Sequence, residues 1–289
     1  MNRTDIEYLD YTWNPFAMRC TPISEGCANC WHIRRADMLK NNPKLSMEVR
    51  EAYAGDREPV LVKSRLEDPV KLKRPSIIGV QFMGDLFHKD VSFDWLPKIF
   101  NMVFRTPHTF LYLTKHPERM AEWIDRWKDF YGGLLASNMP RIWLGVTCEN
   151  QAAADERIPI LLQIPAAVRF VSLEPLLDAI HLKPYFNYPE NVYYERGLDW
   201  VIAGCESGPG RRPSVVDWFR SLRDQCQEAM VPFFLKQMEV DGKVVHMPEL
   251  DGKVWDEMPR GGDHRMGFDE VDEGGNTIRR EGATALDET

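Results

Sequence analysis

Short apolar runs recur along the chain at 77–83, 109–113, 142–146, 168–173, 200–203 and 232–235, with starts 32, 33, 26, 32 and 32 residues apart. A strand, a helix and their turns together take about 30 residues, so the interval is that of a βαβ step. The runs are mostly apolar rather than alternating, which suits parallel strands covered by helices on at least one face. Helix signals fall between them. Pro117 and Glu118 suit a first turn, and Ser214-Val215-Val216-Asp217 has the form of a capping box ahead of residues 218–230. The expectation is an α/β fold, either a β/α barrel or part-barrel or an open doubly wound sheet.

Residues 8–13 read as a first strand, 31–54 as helical and 55–75 as charged and irregular. Beyond Met238 the pattern changes. Asp241-Gly242-Lys243-Val244 and Asp251-Gly252-Lys253-Val254 repeat an Asp-Gly turn flanked by apolar residues, a hairpin signal. The chain thus divides into a barrel-like unit at 1–238, a hairpin extension at 239–260 and an acidic, partly disordered tail at 261–289.

A hydrophobic content of 44% can fill a core for a chain of this length. No run of about 18 uncharged apolar residues is present to span a bilayer. The first ten residues carry Asp5, Glu7 and Asp10, unlike a secretory or organellar leader, so the protein reads as cytoplasmic and free of membrane. A net charge of −8 disfavours broad, non-specific binding to nucleic acid.

Three of six cysteines crowd together as Cys20, Cys27 and Cys30, in the pattern CxxxxxxCxxC. In a cytosolic chain such a cluster points to a metal or a redox role rather than to crosslinks. Thiolates suit iron–sulfur clusters and zinc alike. Three ligands without a fourth suit a 4Fe-4S cluster with one iron open. With His32 added they suit structural zinc, in a binding protein without catalysis. Reduced structural cysteines are the third reading. Cys148 and Cys205, at apolar strand ends, read as small buried hydrophobes.

Each apolar run ends in polar residues: Gly84-Asp85 with His88, Thr114-Lys115-His116, Thr147 with Glu149-Asn150, Ser172 with Glu174, Glu206-Ser207-Gly208, and Lys236-Gln237. In a β/α barrel the C-terminal strand ends share the rim that carries active sites. Asp85 and Glu149 fit helix caps equally well. Lys115 and Arg119 fit anion binding or solvated surface charge.

Taken together, several segments resemble the phage-associated three-cysteine-motif proteins, a family similar to radical SAM enzymes. They are Thr12-Trp13-Asn14-Pro15, Cys20, Gly26-Cys27-Ala28-Asn29-Cys30, Gly84-Asp85-Leu86-Phe87-His88, Leu113-Thr114-Lys115, Glu149-Asn150-Gln151, Ser172-Leu173-Glu174-Pro175 and Glu206-Ser207-Gly208-Pro209. The likeness runs from about residue 10 to Trp255-Asp256-Glu257-Met258-Pro259. It implies a partial (βα)6 TIM-like barrel with the cluster loop after the first strand. It also implies reductive cleavage of S-adenosylmethionine, an external electron donor, and a small-molecule or nucleic-acid substrate. By strand order, Gly84, Asp85, Glu149, Asn150 and Ser207 fall where the cofactor is held. Lys115, Glu174 and Glu206 are left as catalytic candidates. The usual radical SAM loop is CxxxCxxC, and this one has three more residues between its first two cysteines. Trp31 is expected to shield the cluster from water.

Overall fold

The computed structural model describes residues 1–131, 141–186 and 196–259, with the two-residue strands Glu270–Val271 and Thr277–Ile278. Apart from those strands, the tail expected to be partly disordered lies outside the described residues.

The strands are β1 (Asn2–Arg3), β2 (Tyr11–Trp13), β3 (Phe16–Ala17), β4 (Val60–Leu61), β5 (Ile77–Val80), β6 (Thr109–Thr114), β7 (Ile142–Thr147), β8 (Val168–Leu173), β9 (Trp200–Gly204), β10 (Phe233–Val240) and β11 (Lys243–His246). One sheet runs β1-β2-β5-β6-β7-β8-β9-β10-β11, and β3 pairs with β4 apart from it. The strands from β2 to β10 are parallel to their neighbours, while β1 and β11 add antiparallel edges. There are thus seven parallel strands, not the six that the resemblance implies. No ladder joins the two edges among the described residues, so hydrogen bonding does not close the sheet into a barrel.

Both faces of the sheet are apolar, for different reasons. On one, Ile78, Val80, Phe110, Tyr112, Leu144, Val146, Val201, Ala203 and Leu235 pack with helix residues such as Phe100, Trp123, Trp127, Ile158, Leu161, Phe219 and Leu222. On the other, Ile77, Leu111, Trp143, Phe170, Trp200, Ile202 and Phe234 pack with Tyr8 and Leu9, and among the described residues no helix residue joins them. Without a helix cover, that face is hidden by the sheet curling over itself. The Tyr8 ring, just before β2 at one edge, meets Trp200 at 5.6 Å and Phe234 at 5.5 Å near the other. Glu7 Oε1 lies 2.7 Å from His246 Nδ1 on β11. Side chains therefore bridge the seam that the backbone leaves open.

Residues 31–54 form two helices rather than one, Trp31–Leu39 and Met47–Ala54. Pro43 disfavours helical backbone at Asn42 before it, and Ser46 restarts the helix by accepting from the Val49 N–H at 3.4 Å. The capping box at Ser214 does not form. Helix Val216–Glu228 begins without a side-chain cap, and Asp217 instead pairs with Arg220 at 2.9 Å. β10 runs through residue 238 into the β11 hairpin, so that hairpin continues the main sheet. No helix of the described residues is long and apolar enough to cross a membrane.

Gly145 in β7 tests how tightly the uncovered face is filled. A Cβ there would lie 2.3 Å from the ring of Phe170, itself fully buried and 5.8 Å from Trp200. Gly145→Ala is expected to cost about 1–3 kcal/mol by overpacking. Urea unfolding should show a lower midpoint at unchanged slope.

Candidate functional site

Side chains alternate along a strand, so the inward face continues beyond each strand end at every second residue. Leu111 and Leu113 lead to Lys115, Trp143, Gly145 and Thr147 to Glu149, Phe170 and Ser172 to Glu174, and Trp200, Ile202 and Gly204 to Glu206. On β10, Phe234 leads to Lys236, where the register with β9 shifts between Leu235 and Gln237. This bulge turns both Lys236 and Gln237 toward the same space, as bulges near functional sites do.

That space is a cavity of about 230 Å³. One water needs about 10–15 Å³, so it is roomy. Cys20, Cys27, Cys30, Gly84, Asp85, Lys115, Glu174, Glu206 and Ser207 all line it. Glu149 and Asn150 do not.

The cysteine loop is gripped from two sides. Cys27 ends the turn Glu25–Cys27, and Cys30 immediately precedes helix Trp31–Leu39. Lys115 Nζ lies 2.8 Å from Ser24 Oγ, 3.6 Å from Cys27 Sγ and 3.6 Å from Glu149 Oε1. Glu149 is buried beneath it and held by Arg157 at 2.9 Å, and it accepts from the Gly26 N–H at 3.4 Å. Burial opposes the Glu149 charge, but Lys115, Ser24 and Arg157 outweigh it and lower the pKa. Gly26 allows this approach, since a Cβ there would stand 2.9 Å from Lys115 Nζ. From the other side, Asn29 Nδ2 donates to Glu206 Oε2 at 2.9 Å, and Arg212 donates to the Glu25 carbonyl at 3.0 Å.

Cys20 and Cys27 differ electrostatically. Burial, then Asp85 and the other two cysteines, pushes Cys20 up to about 12. At Cys27 burial raises the pKa, yet Lys115 and the backbones of Ile23 and Ser24 outweigh it and the net shift is downward.

Among the described residues, no three His, Cys, Asp or Glu side chains stand close enough to hold one metal ion. Thiolates sharing a zinc must lie within about 4 Å of one another, so the tetrahedron of three cysteines and His32 is not formed. In a four-iron cluster each thiolate binds a different iron, which spreads the sulfurs more widely. Three free thiols lining one cavity, with a cation beside one of them, fit that donor set. His32 also lines the cavity. It is 3% exposed, and neither ring nitrogen makes a hydrogen bond. Burial brings its pKa down to about 4, so the ring is neutral at pH 7.

Several expected site residues are committed to structure. Asp85 accepts from Thr114 Oγ1 at 2.6 Å and from the N–H groups of Phe87 and Lys115 at 2.9 Å each, so it fixes two strand ends rather than offering a free carboxylate. Asn150 caps helix Gln151–Gln163 by accepting from the Ala153 N–H at 2.9 Å through its Oδ1. Glu149 anchors the cysteine loop from below. Glu206 is bound by Arg212 and Asn29 and acts as a clamp. Gly84, at φ 131°, meets the Met18 sulfur where a Cβ would stand. Ser207 offers its carbonyl to Arg34 at 3.3 Å. Arg119 is half-buried and does not line the cavity; it donates to the Val91 carbonyl at 2.9 Å and lies over Phe93. Trp31 lines the cavity but is 47% exposed, so it borders the opening rather than sealing it. Cys148 and Cys205 are buried, as expected.

Glu174, a catalytic candidate in the sequence, stands on another wall of the cavity beside Lys236. Lys236 Nζ lies 2.9 Å from Glu174 Oε1, and Glu174 Oε2 receives Ser172 Oγ at 3.1 Å and Tyr8 Oη at 3.4 Å. Burial acts against the Lys236 charge, but Glu174 more than offsets it and the pKa is raised. Lys236 was visible only as a polar strand end. Tyr8 carried no signal, because it arrives from the far edge of the sheet.

Compared with known proteins, residues 3–259 match a family described as Protein of unknown function (DUF5131). No curated protein and no solved structure matches the chain.

The Glu206 clamp has a pH signature. Burial opposes its charge, but the Arg212 side chain and N–H, with Asn29, hold its pKa down to about 2. A depressed carboxylate stabilises the fold above its ordinary value of 4.5, and that contribution fades as pH falls toward about 2. Glu206→Gln is expected to melt lower than wild type at pH 7 and to lose less stability between pH 4.5 and 2. Melting temperature against pH for both proteins checks this.

Proposed function

The chain belongs to this DUF5131 family, and we propose that it is an iron–sulfur enzyme that cleaves S-adenosylmethionine reductively to begin radical chemistry in the cavity. The observation that carries this reading is the convergence of Cys20, Cys27 and Cys30 on a cavity walled by polar strand ends. The CxxxxxxCxxC loop and its resemblance to radical SAM proteins support it. So does the curled parallel sheet, which suits a partial β/α barrel of that type.

Cys20, Cys27 and Cys30 would hold a 4Fe-4S cluster with one iron open. When bound, that group would supply the one electron needed for reductive cleavage of S-adenosylmethionine, and with it the means to take a hydrogen atom from substrate. Lys115 sets a positive charge beside Cys27 and ties Ser24 to Glu149. Asn29, Glu206 and Arg212 hold the loop against the β9 end. Gly84 and Ser207 offer uncharged surface to the cofactor. Glu174 and Lys236 face the remaining space. An external electron donor would approach at the cysteine loop, where Ile23 and Trp31 are exposed. Substrates in keeping with a cavity of this volume are small, a nucleotide or a nucleic-acid base among them.

One observation favours a zinc-stabilised, non-catalytic binding protein instead. His32 is buried beside the cysteines without a hydrogen-bond partner.

Anaerobic reconstitution with iron and sulfide should give a brown protein that releases 5′-deoxyadenosine when supplied with reductant and S-adenosylmethionine. Cys20→Ala, Cys27→Ala and Cys30→Ala should each lose iron and that release. Stoichiometric zinc, no iron uptake, and loss of zinc in His32→Ala would overturn the enzyme reading.

A further inference from the structure

The wall opposite the cysteines joins an ion pair to an apolar surface, and the pair is incompletely used. Lys236 Nζ has three N–H donors and makes one close polar contact, with Glu174 Oε1 at 2.9 Å. That contact lacks hydrogen-bond alignment, for Glu174 Oε1 is buried without an aligned donor. Tyr8 reaches Glu174 Oε2 only at 3.4 Å, longer than the 2.5–3.0 Å usual between oxygens. Lys236 nonetheless keeps 19% of its side chain accessible, and it lines the cavity. Unfilled hydrogen-bonding capacity in an enclosed site is costly unless something arrives to use it.

The chemistry of the wall narrows the ligand. The two charges cancel locally, so an anion would be opposed by Glu174 and a cation by Lys236. A neutral group with a carbonyl and an N–H on adjacent atoms answers both, with the oxygen toward Lys236 and the N–H toward Glu174 Oε2. Because its donor and acceptor are neighbours, such a group addresses side chains that stay in contact. An amino-acid zwitterion would compete for the same two charges and split them apart. Phe82, Leu113 and Ile6 also line the cavity and offer apolar surface for a flat ring.

We propose that Glu174 and Lys236 form a recognition site for a uracil-type base, reading the lactam edge of its ring while Phe82 and Leu113 cover its face. This rests on the cavity being the reaction chamber and names the class of substrate it would take. Reading a base by its hydrogen-bonding edge and covering its face with apolar side chains is how enzymes hold a nucleobase outside a duplex. With the ribose placed alike, cytosine presents a donor where uracil has its carbonyl and an acceptor where uracil has its N–H, so in that orientation the wall opposes it.

The test is calorimetric titration of the full-length protein with uridine, 3-methyluridine and cytidine, before and after cluster reconstitution. Uridine is expected to bind, and 3-methyluridine and cytidine to bind at least roughly ten-fold more weakly, since a site built for a hydrogen bond rejects ligands that leave it unpaired. Changing the ligand requires no variant to fold. Lys236→Met and Glu174→Gln should erase the preference for uridine over cytidine, and Lys236→Arg should retain part of it. Equal binding of uridine and cytidine, tighter binding of glycine than of uridine, or no measurable uridine binding would overturn the site. Uridine preference without cleavage of S-adenosylmethionine would keep the site and sink the radical reading. Cleavage without that preference would do the reverse.

Discussion

A parallel sheet must hide two apolar faces, and this chain supplies helices for only one of them. The other bears Trp143, Phe170, Trp200 and Phe234, whose exposure would cost about 25 cal/mol for each Å² left in water. The sheet covers them by curling, and Tyr8 bridges from the opposite edge. Curling draws the C-terminal strand ends together. Side chains that would be scattered along a flat sheet, Lys115, Glu174, Glu206 and Lys236, therefore face one cavity. The site is a consequence of how the uncovered face is hidden.

The charges near that cavity fall into two kinds. Glu149 with Arg157 and Lys115, and Glu206 with Arg212 and Asn29, are paired closely and hold the cysteine loop. Removing one partner from such a buried set is costly, because the other is stranded. Glu174 and Lys236 also pair, at 2.9 Å, but both line the cavity, and Glu174 Oε1 has no aligned donor.

Much of the fold was legible in the sequence because apolar runs and their spacing reflect burial directly. The run at 168–173 is β8 to the residue, and those at 109, 142 and 200 start where β6, β7 and β9 start. The run at 77–83 was read too long, since Gln81 adopts φ 55° and ends β5. The curl was not legible, because it arises from contacts such as Tyr8 with Phe234 between residues far apart in the chain. The cysteines could be grouped by spacing alone. The roles of Asp85, Glu149 and Asn150 could not, since a carboxylate or amide at a strand end looks the same whether it awaits a ligand or holds a backbone N–H. Gln237 owes its aim beside Lys236 to a register shift that leaves no mark in composition.

The cavity is assembled from opposite ends of the chain, with Tyr8 and the cysteine loop on one side and Lys236 on the other. During synthesis the N-terminal portion leaves the ribosome first. The three thiols thus emerge more than two hundred residues ahead of Lys236 and the β10 and β11 strands, at positions 20–30 against 233–246. Such distant contacts form late in folding. Throughout that interval the thiols lack the finished enclosure of their cavity and stand open to oxidants and stray metals.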